Sequence, residues 1–168
     1  MPKLRKIISG GQTGVDQAAL QLALELGFDI GGWCPPNRTC EDGPIPDLFP
    51  LLATPEEHSA RAPHIARSLR TEWNVRDSNA TLILLPDTLQ PDPGTAWTIE
   101  CTKHYGKPSL IANPFSAQAT HIILQWLLHL QPSTLNIAGP SEKTCNGIAL
   151  ATTRTLKPAL LQLKHMQA

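Results

Sequence analysis

The chain has 168 residues, enough for one core that buries about two-thirds of the surface its extended form would expose. With 41% hydrophobic but only 5% aromatic residues, that core must be aliphatic, which suits strands covered by helices. Lys plus Arg and Asp plus Glu number 14 each, so the basic surface a general nucleic-acid binder needs is missing. The best apolar run, Ile122 to Leu130, contains Gln125 and His129 and is too short to span a membrane. The N-terminus lacks the apolar stretch of a signal peptide, which predicts a cytoplasmic protein. Cys34, Cys40, Cys101 and Cys145 form no CxxC pair and no zinc-ligand spacing, so thiols are expected rather than a metal site.

Leu4, Ile7 and Ile8 form a short apolar run that ends at Ser9-Gly10-Gly11. Beyond Gln12-Thr13-Gly14, the residues Val15, Ala18, Ala19, Leu22, Ala23 and Leu26 recur at helical spacing until Gly27. The pattern predicts strand, glycine turn, helix. Phe28 to Gly31 predicts a second strand, and Gly32 to Pro50 is too rich in Gly, Pro, Asn and Asp for regular structure. A short strand is expected at Leu51 to Ala53, then a helix capped by Thr54 and running from Pro55 to about Leu69. Ala80 to Leu85 has the continuous apolar character of a central parallel strand. Thr95 is expected to cap a helix reaching Tyr105, with a strand at Leu110 to Ala112 after it. Ala117 to Leu130 predicts a helix, Thr134 to Ala138 the last strand, and Ile148 to Met166 a final helix kinked or split at Pro158. This alternation predicts a single Rossmann-like α/β domain over residues 1 to 168, a mostly parallel sheet flanked by helices.

Three turns at strand ends are candidates for ligand contact. Gly10, Gly11, Gln12, Thr13 and Gly14 can expose backbone N–H groups beside a helix N-terminus, a setting for a phosphate. Asp16, in the first turn of that helix, serves equally as a dipole partner or a ligand contact. Gly94 and Thr95 follow the central strand, where a parallel sheet opens a crevice. Gly139-Pro140 opens the third turn, with Ser141, Thr144, Cys145 and Gly147 beyond it. Arg38, Arg70, Arg76 and Lys143 can neutralise an anion if folding gathers them. Trp33, Trp73 and Trp97 sit in or beside predicted loops and are available to stack on a flat ring, although packing is the commoner use. On the turn argument, Gly11→Val is expected to block the N–H cradle with limited unfolding. The six histidines are scattered, GxSxG is absent, and Glu41-Asp42 is as easily a solvated turn as a metal site. No catalytic and no metal-ligating residue is assigned.

The ordered motifs SGGQTGVDQAAL, GGWCPPNRTCEDGPIPDLFPL, RTEWNVRDS, PGTAWT, KP and LNIAGPSEKTCNGI together resemble the molybdenum cofactor carrier proteins, over about Ile8 to Leu156. The resemblance implies a Rossmann-like fold in a superfamily shared with lysine-decarboxylase-like, cytokinin-activating phosphoribohydrolases. It implies a homo-oligomer that binds molybdenum cofactor, a pterin dithiolene with a terminal phosphate (molybdopterin and its metal), and hands it to molybdoenzyme or cofactor-synthesis partners. Carried over by position, the implied contacts are Gly10 to Gly14, Arg70 and Asn74 of the RTxxNV element, Gly94 and Thr95, and Gly139, Pro140, Glu142, Cys145 and Gly147. Arg38, in the long loop, joins the expected cofactor-binding set on its charge.

The chain departs from the family pattern at Ser141 and Thr144, where basic residues are usual, and at Asn146 and Asn79. The hydrolase relatives carry glutamate three residues after the threonine of PGGxGTxxE. Here that place is Thr98, and Glu100 points roughly 200° away from it on a helix. Carriage of the cofactor or a related pterin phosphate is therefore the expected function. A nucleotide or phosphoribosyl hydrolase and a nucleotide sensor are the alternatives.

Overall fold

A computed structural model describes residues 3–168. Five parallel strands form the main sheet: β1 (Lys6–Ile8), β2 (Asp29–Gly31), β7 (Ala80–Leu84), β8 (Ser109–Ala112) and β9 (Thr134–Ala138). Their order across the sheet is β2-β1-β9-β7-β8, so the last strand in sequence lies at the centre. Ile7 pairs with Ile30 on one side and Leu135 on the other, while Leu82 of β7 pairs with Leu110 and Ile137. The fold is Rossmann-like, as the alternation of elements predicts.

Side chains alternate across each strand, so the sheet has two buried faces. Ile7, Ala80, Leu82, Leu84, Leu135 and Ile137 face one cluster. That cluster is completed by α1 (Val15–Glu25), α4 (Ala119–Leu130) and α5 (Ile148–Met166). On the other face, α2 (Ser68–Arg76) packs against α3 (Pro93–Tyr105) around Val75, Trp97 and Cys101. Asn136 and Thr81 sit on alternate positions of β9 and β7 and bond to each other at 3.3 Å.

The breaker-rich segment after β2 is folded into two small ladders. β3 (Trp33–Cys34) pairs in parallel with β6 (Leu52–Ala53), and β4 (Thr39–Cys40) pairs antiparallel with β5 (Gly43–Pro44). Leu20, Cys34, Ile45, Phe49 and Leu51 bury a separate apolar cluster beneath them.

Three expectations are corrected. The helix predicted from Pro55 to Leu69 is absent, and α2 begins only at Ser68. Thr54 donates its hydroxyl to the Glu56 carbonyl instead of accepting a helix amide. Pro63 interrupts the segment, and Ser59 bonds forward to the Ser68 hydroxyl. Secondly, α3 is capped by Asp92, not Thr95. Its carboxylate accepts from the Thr95 amide at 3.3 Å and from the Thr95 hydroxyl at 2.6 Å, with Pro93 at the first helical position, where its missing N–H costs nothing. Thirdly, α5 is not split at Pro158 but runs through it as one helix. Arg154 and Pro158 are both exposed, so the carbonyl that proline leaves unbonded can be hydrated.

Candidate functional site

The carboxyl ends of β1, β9 and β7 converge because glycines let their loops touch. A Cβ on Gly14 would meet the Pro140 carbonyl at 2.5 Å, and one on Gly139 would meet the Leu84 carbonyl at 2.5 Å. Gly14 also holds φ 81° as the N-cap of α1, a conformation open to glycine at little cost. Between these loops and the starts of α2 and α3 lies a cavity of about 300 Å³. It occupies the crevice beyond the strand ends where open α/β sheets bind ligands.

The floor of this cavity carries a buried ion pair. Asp16, on the first turn of α1, is 2% exposed and accepts from the Gln12 amide at 3.2 Å. Its Oδ2 lies 3.5 Å from Nη1 of Arg70 on α2. Burial pushes the Asp16 carboxyl above the usual carboxylate range, and the Arg70 guanidinium is the chief opposing influence. Burial likewise lowers Arg70, which Asp16 partly restores and neighbouring Arg67 depresses further. Arg70 Nε is buried without a hydrogen-bond partner among the described residues.

The glycine turn is thus partly self-satisfied. The Gln12 amide is spent on Asp16, the Thr13 amide on the Gln12 side chain at 3.1 Å, and the Val15 amide on the Pro140 carbonyl at 3.2 Å. The Thr13 hydroxyl donates to Glu41. Glu41 also accepts from the Lys143 amide at 3.0 Å. Burial alone would raise the Glu41 carboxyl, but these donors outweigh it and hold it below its usual value.

Cations and free donors enter from the opposite wall. Arg67 and Arg70 line the cavity from the start of α2, and Gly94, Thr95 and Thr98 line it from the start of α3. The Gly94 amide has no intramolecular acceptor among the described residues, and a helix N-terminus favours an anion there. Arg67 holds φ 58°, which is left-handed backbone that costs a non-glycine residue energy. Its amide is anchored by Glu57 Oε1 at 2.8 Å.

Of the expected contacts, Gln12, Arg70, Gly94, Thr95 and Gly139 line the cavity. Gly10, Gly11, Thr13 and Gly14 are outside its lining. Arg38, Asn74 and Cys145 lie apart from it. Arg38 donates to the carbonyls of Phe49 and Leu51, fastening the long loop. Asn74 brackets the backbone of Trp33, accepting from its amide at 2.8 Å and donating to its carbonyl at 2.9 Å. Cys145 packs against the main core, and burial followed by Glu142 raises its thiol. Nor do the tryptophans enter. Trp97 is buried and donates to the Ser68 carbonyl at 3.0 Å, while Trp33 and Trp73 pack edge to face at 4.8 Å.

Arg67 and Asp92 were not among the expected residues. The Asp-Pro-Gly sequence at 92–94 is itself a cap followed by proline at the first helical position, a readable signal. Arg67 had no comparable signal, since its place depends on the irregular path of residues 54 to 67. Among the described residues, no group of three or more His, Cys, Asp or Glu can hold a metal ion, and no helix is long and apolar enough to cross a membrane.

The model of the circularly permutated YpsA SLOG family matches residues 7–160. The crystal structure of a "Putative molybdenum carrier protein" from Syntrophus aciditrophicus superposes with a TM-score of 0.83. The two sequences are 36% identical, over 95% of this chain and 96% of the other. No curated protein matches the chain.

Proposed function

The chain belongs to the circularly permutated YpsA SLOG family, and from that premise we propose that residues 1–168 act as one domain that binds, protects and hands on molybdenum cofactor or a closely related pterin phosphate. The 36% identity to a protein named as a molybdenum carrier supports the choice of cargo. The observation that carries the reading is the positive wall of the cavity: Arg67, Arg70 with its long 3.5 Å contact to Asp16, and the Gly94 amide. We place the terminal phosphate against this wall, not in the Gly10 to Gly14 turn, whose amides at Gln12 and Thr13 already have acceptors. A cavity of about 300 Å³ is at the lower end for small-molecule sites, and suits one end of such a ligand.

The acidic residues support binding without turnover. Asp92 caps α3, Glu41 accepts from Thr13 and Lys143, and Asp16 is held by Gln12 and Arg70. Thr98 lines the cavity where the hydrolase motif has its glutamate, and its hydroxyl donates to the Gly94 carbonyl at 3.0 Å. Each of these carboxylates holds a structural hydrogen bond, and a threonine stands at the position where a hydrolase would need its carboxylate. The cofactor's own dithiolene would keep the metal, since no cysteine lines the cavity.

Anaerobic calorimetric titration with molybdenum cofactor, using AMP as the control, tests this reading. Saturable cofactor binding that weakens in Arg67→Ala and Arg70→Ala is expected. Binding of AMP alone would overturn it in favour of a nucleotide enzyme or sensor.

A further inference from the structure

Arg70 is poorly served by Asp16, its one ion-pair partner among the described residues. One Nη reaches Asp16 at 3.5 Å, Nε has no partner, and Arg67 adds like charge beside it. A tetrahedral oxyanion on the cavity side can accept two parallel bonds from a guanidinium, a stronger arrangement than one long contact. Asp16, by contrast, has Arg70 as its paired cation, its other partners being neutral donors. The groups that face it are the Ser9 side chain, the amides of Gly10 and Gln12, and Arg70. The remaining charges lining the cavity are Arg67 across from it and the carboxylates of Glu41 and Asp92. Among the described residues, no second cation acts on Asp16 in place of Arg70.

We infer that Asp16 and Arg70 form a proton-linked switch: an oxyanion entering the cavity takes over the guanidinium of Arg70, and Asp16, deprived of that partner, takes up a proton from solvent. This rests on reading the cavity as an anion site. A buried carboxylate left facing a bound anion is destabilised in its charged form, and the burial of Asp16 already raises it. By linkage, anion affinity then rises as pH falls and declines as pH rises, by up to about tenfold per pH unit for one proton. For a carrier, this couples loading and release to local pH.

Sulfate is a suitable probe because it stays fully ionised near neutral pH, so any proton taken up belongs to the protein. Calorimetric titration with sulfate in buffers of different ionisation enthalpy counts that proton. Wild type is expected to take up about one proton and Asp16→Asn none, with the pH dependence of affinity abolished in the variant. Should Asp16→Asn fail to fold, the infrared difference spectrum of wild type on adding sulfate decides: a new protonated-carboxyl band is expected. Sulfate binding without proton uptake or that band overturns the switch and leaves cofactor carriage standing. Cofactor binding with no saturable sulfate binding overturns the anion locus and the switch with it. Loss of both ligands would overturn the carrier reading itself.

Discussion

A Cβ on residue 10 would lie 2.0 Å from Nη1 of Arg70, so the missing side chain of Gly10 is what admits this guanidinium to the cavity floor. Gly10 is not among the glycines with positive φ, so alanine there carries no backbone strain. Gly10→Ala is expected to displace Arg70 and lower anion affinity by about tenfold or more, equal to about 1.4 kcal/mol, while the fold survives. Calorimetry on the folded variant checks this, and unchanged affinity would remove Arg70 from the site.

Gly11 behaves oppositely. It holds φ 84°, and an added Cβ would meet Leu51 at 2.7 Å and Ile45 at 2.9 Å. The sequence-based expectation that Gly11→Val blocks ligand with limited unfolding is therefore replaced. Left-handed strain and overpacking together should destabilise the variant by about 3 kcal/mol, read as a fall in urea midpoint. A wild-type midpoint would contradict the packing described.

Arg67 pairs strain with function. Arg67→Gly should relieve left-handed backbone and stabilise the protein by about 1 kcal/mol, yet weaken anion binding. Opposite movement of melting temperature and affinity is the signature. A variant that loses stability as well as affinity would show that the Arg67 side chain is mainly structural.

Asp92 caps α3 through the Thr95 amide and hydroxyl. Asp92→Ala should cost about 1 kcal/mol, measurable by denaturant unfolding, whereas Thr95→Ala leaves the carboxylate-to-amide cap in place and should cost less. The reverse ranking would restore Thr95 as the more important capping residue.

Burial, followed by the nearby Glu72 charge, pushes the Cys101 thiol from 9.0 up to about 12. The folded protein then keeps this proton at pH values where the unfolded chain releases it, so its contribution to stability is full below pH 9.0 and is lost as pH rises towards 12. At about pH 10 the loss from this group should be about 1 kcal/mol relative to neutral pH. Urea unfolding of wild type and Cys101→Ala at both pH values checks this, the variant being the less pH-sensitive. Equal sensitivity would show that the thiol does not carry the effect.

The order of the main elements was legible because each has a local signature. Val15 to Leu26 repeats at helical spacing, and Ala80 to Leu84 is apolar except for Thr81 and buried throughout because both faces of β7 are covered. The α2 helix was misplaced because Pro55-Glu56-Glu57 looks like a helix start, while the real path from Thr54 to Arg67 is set by bonds to Ser68 and Glu72 from a distance. The glycine turns were found, but their roles were not separable from composition. An N–H cradle and a gap left for another side chain both require glycine.

The alternating strands and helices, the three strand-end turns and the family resemblance can be read from the linear chain, because periodicity, turn chemistry and motif order are properties of contiguous residues. It took the folded chain to show that the Asp16 carboxylate takes the Gln12 amide and pairs with Arg70, that Arg67 and Arg70 meet in one positive wall, and that Arg38 and Asn74 are fasteners. Those outcomes depend on which distant donor meets which acceptor first. A buried polar group must find a partner wherever the fold provides one, and the chain's linear order does not say where that will be.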